Sequence, residues 1–196
     1  MTIPMLVVGG VLLLLVGCSP PMDSGAATAK TRSAEGAGAR QTTPRPESEA
    51  EPVVVEIPAI GVAADLVDLG LNGDRTLEVP SDFDVAGWYT GRPPPGAIGP
   101  AIIVGHVDSK EGPAVFYRLG DLVRGDDVLV HREDASTARF VVDRVEHHVK
   151  EDFPTHAVYG STDEATLRLI TCGGSFDQQR SSYTDNVIVF ATLEQP

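Results

Sequence analysis

The feature that most restricts this chain is how its apolar residues are rationed: short runs recur about every ten to fifteen residues from Pro52 onward, each cut off by Gly, Pro, Asn or Asp. Runs of that length are too short for a packed helix, and no window shows apolar residues sustained at helical spacing. The pattern predicts about eight strands, at Val53–Ile57, Ala64–Leu69, Thr76–Val79, Ala101–Val104, Asp127–His131, Arg139–Val149, Ala165–Thr171 and Asn186–Leu193. Pro113–Leu119 and Ser161–Ala165 are expected as short turns of helix. About 145 residues of short strands suit an all-β fold, either a closed barrel or a sandwich, and closure removes exposed edges.

The start of the chain is different in kind. Residues 1–18, MTIPMLVVGGVLLLLVGC, carry no charge. The apolar run from Met5 to Val16 is short for a membrane span and reads as an export signal. Leu15-Val16-Gly17-Cys18 is similar to a bacterial lipobox, yet no Lys or Arg precedes the apolar run. Lipidation at Cys18 and an uncleaved anchor both remain open, and either places the rest outside the cytoplasm, attached to the membrane by its N-terminus. Residues 19–51 hold almost no large apolar side chain and read as a disordered linker. This leaves 52–196 as the folded domain.

The linker carries five carboxylates against four cations, so nearly all of the chain's net charge of −13 belongs to the domain. That balance argues against a nucleic-acid partner and against electrostatic adhesion to anionic surfaces. No cluster of carboxylates is distinctive enough to suggest a metal.

The chain has two cysteines. With Cys18 assigned to the lipid or the membrane, Cys172 is a lone thiol in an exported domain, where cysteines are usually paired. It lies in Ala165-Thr166-Leu167-Arg168-Leu169-Ile170-Thr171-Cys172-Gly173-Gly174, whose alternation predicts a strand stopped by the two glycines. Taken alone, Cys172 is either a small buried hydrophobe or a nucleophile at a strand end. Among the five histidines, His106 also follows an apolar run, Ala101–Val104, at a strand-to-loop transition. His131, His147, His148 and His156 are expected on the surface. A thiol with an imidazole beside it forms a minimal acyl-transfer pair. The oxyanion then needs fixed donors, which a guanidinium supplies. Arg180 follows Cys172 by eight residues and can fold back toward it. Arg168 shares the cysteine's face of the strand but stands roughly 13 Å away.

The order strand-Gly105-His106-x-Asp108, then strand-Thr171-Cys172-Gly173-Gly174, then Phe176-Asp177 and Tyr183-x-Asp185-Asn186-Val187-Ile188-Val189 resembles a sortase, most closely the class F sortases of actinobacteria. The resemblance runs from Val53 to Leu193 and includes Ile57–Val62, Ala86-Gly87-Trp88-Tyr89 and the Gly96–Pro100 loop. It implies an eight-stranded β-barrel with one or two short helices, a monomer, and catalytic roles for Cys172 and His106. The family's arginine transfers less directly, because Tyr183-Thr184-Asp185-Asn186 holds none where many sortases have it, and Arg180 is the only arginine after Cys172.

The activity so implied is a cysteine transpeptidase, and the resemblance implies no cofactor. Cys172 would attack the threonine carbonyl of an LPxTG-type C-terminal sorting motif on a surface protein, and the thioester would pass to a peptidoglycan or pilin amine. Two alternatives stay open at this point: a peptidase or amidase that transfers to water, and a sortase-like lipoprotein that only binds peptides. Asp108 reads as a turn acid and Trp88 as a core indole.

Overall fold

The computed structural model describes residues 50–195. The apolar N-terminal segment and the linker as far as residue 49 lie outside the described residues. Ten strands form: β1 (Pro52–Ile57), β2 (Val62–Leu69), β3 (Ala86–Tyr89), β4 (Gly99–Val104), β5 (Asp108–Ser109), β6 (Gly112–Pro113), β7 (Asp127–Arg132), β8 (Thr137–Val149), β9 (Ala165–Asp177) and β10 (Ser182–Leu193). The short β5 and β6 pair only with each other, and the other eight close a barrel in the order β1-β2-β3-β4-β9-β10-β8-β7. The expected all-β, eight-stranded closed barrel is therefore what forms. One short helix, α1 (Thr155–Tyr159), and three 3-10 turns complete it. Among the described residues no helix is long and apolar enough to cross a membrane.

β4 and β9 position the site. They run parallel, with Ala101 opposite Leu167 and Val104 opposite Ile170, so their C-terminal ends leave the barrel on the same side. Every residue of β4 is buried. The reason is that both faces are covered. Ala101 and Ile103 point into the barrel with Leu167 and Leu169, while Ile102, Val104 and Ile170 belong to an outer cluster closed over by Val158 of α1, Tyr159 and Phe153. A strand covered on both sides reads as an unbroken apolar run, which is why Ala101–Val104 lacks the polar alternation of β7.

The structure departs from the sequence pattern in four places. Thr76–Val79 is not a strand: this segment makes only an isolated bridge, Leu71 with Leu77, and folds as a loop tied down by Glu78, whose carboxylate accepts the Gly70 N–H at 2.7 Å. The barrel strand in its place is β3, Ala86–Tyr89, which pairs parallel to β2. The helical turn expected at Ser161–Ala165 lies earlier, as α1, and Ala165 instead opens β9. Finally, Gly173-Gly174 does not end β9, which continues to Asp177. Gly174 takes φ +75°, a left-handed conformation that glycine adopts without strain. The ladder to β10 shifts register between Tyr183 and Asp185. The glycines thus let the strand bend out of the barrel wall and go on as an exposed hairpin.

Candidate active site

Period-2 alternation along β9 sends Leu167, Leu169 and Thr171 inward and Arg168, Ile170 and Cys172 outward. Arg168 is buried on that outer face, where it donates to the Ala157 carbonyl at 3.3 Å and to the Leu167 carbonyl at 3.0 Å. Its guanidinium packs on the Phe190 ring at 4.6 Å. Burial is the main cause that lowers its pKa to about 10. It therefore keeps its charge at neutral pH and serves to pin α1 to the barrel.

Cys172, a free thiol of intermediate burial, opens into a groove of about 730 Å³, within the range of small-molecule binding sites. Val104 and Ile170 form part of its floor, Leu71, Leu77 and Val79 come from the loop after β2, and Phe153 and Tyr159 come from the α1 side. His106 lines the same groove. Its Nε2–H donates to the Pro80 carbonyl at 2.7 Å and its ring leans on Phe83, with centroids 4.5 Å apart. The 70–85 loop thereby fixes both the tautomer and the plane of the imidazole. Thr171 donates its hydroxyl to the Gly105 carbonyl at 2.8 Å, joining the residues just before Cys172 and His106.

The charges around this groove oppose those of the chain. Arg75, Arg92 and Lys150 line it together with His106, and among the described residues no Asp or Glu does. Of these cations Lys150 reaches the sulfur: its Nζ stands 3.7 Å from Cys172 Sγ and donates to Ser182 Oγ at 2.8 Å.

Arg180 is not brought to the groove. It sits on the turn between β9 and β10 with 73% of its side chain exposed, paired with Glu151 at 3.3 Å and Asp177 at 3.7 Å. It lines a smaller neighbouring depression of about 190 Å³, shared with Lys150, Ser182 and Tyr183. Asp108, expected as a turn acid, accepts a hydrogen bond from the Tyr183 hydroxyl and so ties the loop carrying His106 to β10. That bond pushes the Tyr183 pKa up to about 12. Trp88 is the core indole expected of it.

Lys150 was not singled out in the sequence pattern, and neither was the pairing of Tyr183 with Asp108. Lys150 immediately follows the predicted strand Arg139–Val149, so its place at that strand's end was the one available signal. The bond between Tyr183 and Asp108 spans 75 residues, and no local pattern reports such a contact.

The Sortase domain family matches residues 55–194, and the chain belongs to that family, whose members are cysteine transpeptidases. Solved structures agree on the fold. The chain is 17% identical to sortase A from Corynebacterium diphtheriae, covering 76% of this chain and 63% of that one with a TM-score of 0.57. For sortase C1 from Streptococcus agalactiae the identity is 18%, the coverage 74% and 67%, and the TM-score 0.58. For a sortase D5 transpeptidase from Clostridium perfringens the values are 21%, 74% and 79%, and 0.54. Among curated proteins none matches the chain.

Proposed function

We propose that this protein is an extracytoplasmic transpeptidase that cleaves an LPxTG-type sorting motif through a thioester on Cys172 and passes the acyl group to a cell-wall or pilin amine. One observation carries the reading: a thiol and an imidazole, 66 residues apart in sequence, line one groove of about 730 Å³ on a barrel of the sortase family. Cys172 forms the C–S bond to the threonine carbonyl, and the C–N bond breaks as His106 gives a proton to the leaving amine. The incoming amine then attacks the thioester and loses its proton through the imidazole. Apolar walls suit the leucine and proline of such a motif.

Within the family the chain is placed in class F, on the sequence motifs around His106 and Cys172. Attachment to the outer side of the membrane rests on the apolar, lipobox-like start of the sequence. The test is incubation of the protein with a labelled LPxTG-type peptide, with and without an amine acceptor, followed by intact-mass spectrometry. An acyl adduct on Cys172 that is discharged onto the amine supports transpeptidation. Strict hydrolysis makes it a peptidase, and binding without any adduct makes it a peptide-binding barrel.

A further inference from the structure

The geometry points to Lys150 as a further catalytic residue: its ammonium supplies the positive charge beside the Cys172 sulfur that stabilises first the nucleophile and then the oxyanion formed next to it. This inference deepens the acyl-transfer reading and rests on it.

Position comes first. Across the outer strands His148, Asn186 and Cys172 stand in one row, β8 to β10 to β9. Lys150 leaves β8 two residues past that row and its side chain reaches back along it. Nζ contacts Sγ at 3.7 Å and donates to Ser182 Oγ at 2.8 Å. Both partners of this ammonium are therefore fixed on β9 and β10, which orients it before a substrate arrives.

Charge comes second. Among the described residues Lys150 forms no ion pair with a carboxylate, whereas the nearby Arg180 forms two. Glu151, the residue after Lys150, is taken by Arg180. Surface pairing thus absorbs the arginine and leaves the lysine's charge to act on the sulfur. Among the described residues no carboxylate lines the groove to pair with that charge there.

The chemistry follows from the contact. As sulfur bonds to the carbonyl carbon, the C=O π pair moves to oxygen, which lies one bond beyond the carbon now held by Sγ. The ammonium donates a hydrogen bond to that oxygen. When the pair returns and the C–N bond breaks, His106 supplies the proton to the amine, and Lys150 keeps its own proton throughout. Lys150 also explains how a sortase whose last strand opens with Tyr183-Thr184-Asp185-Asn186 keeps a cation at the thiol.

The experiment uses the full chain and the variants Lys150→Met, Lys150→Arg and Arg180→Gln, with melting by circular dichroism to check folding. Two rates are read by intact mass: alkylation of Cys172 by iodoacetamide at pH 7, which needs no peptide, and single-turnover acylation by an LPxTG-type peptide. Lys150→Met is expected to alkylate about tenfold slower. It should acylate about 100- to 1000-fold slower, the cost of one lost oxyanion donor, at an unchanged half-saturating peptide concentration. Lys150→Arg should recover to within about tenfold, and the loss in Lys150→Met should exceed that in Arg180→Gln. Wild-type rates in Lys150→Met, a larger loss in Arg180→Gln, or a hydroxylamine-resistant acyl group on Lys150 itself would each overturn the assignment. If the methionine variant does not fold, Lys150→Gln carries the same comparison. Should the wild type give no acyl adduct, the transpeptidase reading fails by itself, and the alkylation ratio still decides whether the ammonium acts on the sulfur.

Discussion

Thr171 hands its hydroxyl hydrogen to the carbonyl of Gly105 at 2.8 Å, and the Gly105 N–H returns a bond to the Ile170 carbonyl at 3.1 Å. The backbone just ahead of the thiol is thus stitched to the backbone just ahead of the imidazole. Thr171→Val keeps the shape and removes the stitch. Stability should fall by about 1 kcal/mol, roughly 3 °C in melting temperature for a domain of this size. Acylation should slow more than tenfold, because small displacements of reacting groups are costly, and Thr171→Ser should restore it. An acylation rate that tracks only the small change in stability would show that the bond is structural alone.

Cys172→Ala should give no acyl adduct with any sorting peptide, and His106→Asn should lose about 10²- to 10⁴-fold in single-turnover rate. Intact-mass spectrometry reads both. A residual adduct in Cys172→Ala would move the nucleophile elsewhere.

Tyr183 gives a pH signature. Its hydrogen bond to Asp108 raises its pKa to about 12, which favours the neutral phenol in the folded state. The stabilisation is complete below the unfolded value near 10 and is lost as pH rises through about 12. Ultraviolet titration of the phenols should show a late component near pH 12, and Tyr183→Phe should remove it. Burial also raises Tyr159, so that tyrosine should stay late in the variant. Early ionisation of every phenol but Tyr159 in the wild type would mean that the loop bearing His106 is not tied to β10.

Arg168 should matter for folding rather than for chemistry. The five-residue α1 is too short to persist by itself. It is held by Val158, fully buried, and by the bond from Arg168 to the Ala157 carbonyl. Arg168→Ala should cost about 2–4 kcal/mol in chemical denaturation and weaken peptide binding, since Tyr159 of α1 and Phe153 just before it line the groove. A change below about 0.5 kcal/mol would assign α1 to other anchors.

The barrel, and the meeting of His106 and Cys172 in one groove, were legible because the signals are local. The runs Ala101–Val104 and Ala165–Thr171 announce strands, and His106 and Cys172 stand directly after them. β3 was hidden, because Ala86-Gly87-Trp88-Tyr89 is only four residues and contains a glycine. Gly87 is required there by contact, since a Cβ would meet Leu69 Cδ1 at 2.3 Å. Thr76–Val79 has strand-forming residues, but the bond from Gly70 to Glu78 closes the chain into a loop instead. Arg180 was favoured as the only arginine after Cys172, on a connection able to fold back, which carries no information about Glu151, brought beside it from 29 residues away.

β10 is threaded between β9 and β8, although it follows both in the chain. A nascent chain that stops short of Ser182 would have two bare edges flanking the gap, an unpaired row at the thiol, and no hydroxyl to hold the lysine. Such a product would be worse than slow: open edges recruit other chains. Chemical competence and protection from aggregation would therefore arrive together, when the hairpin of β9 and β10 completes the barrel.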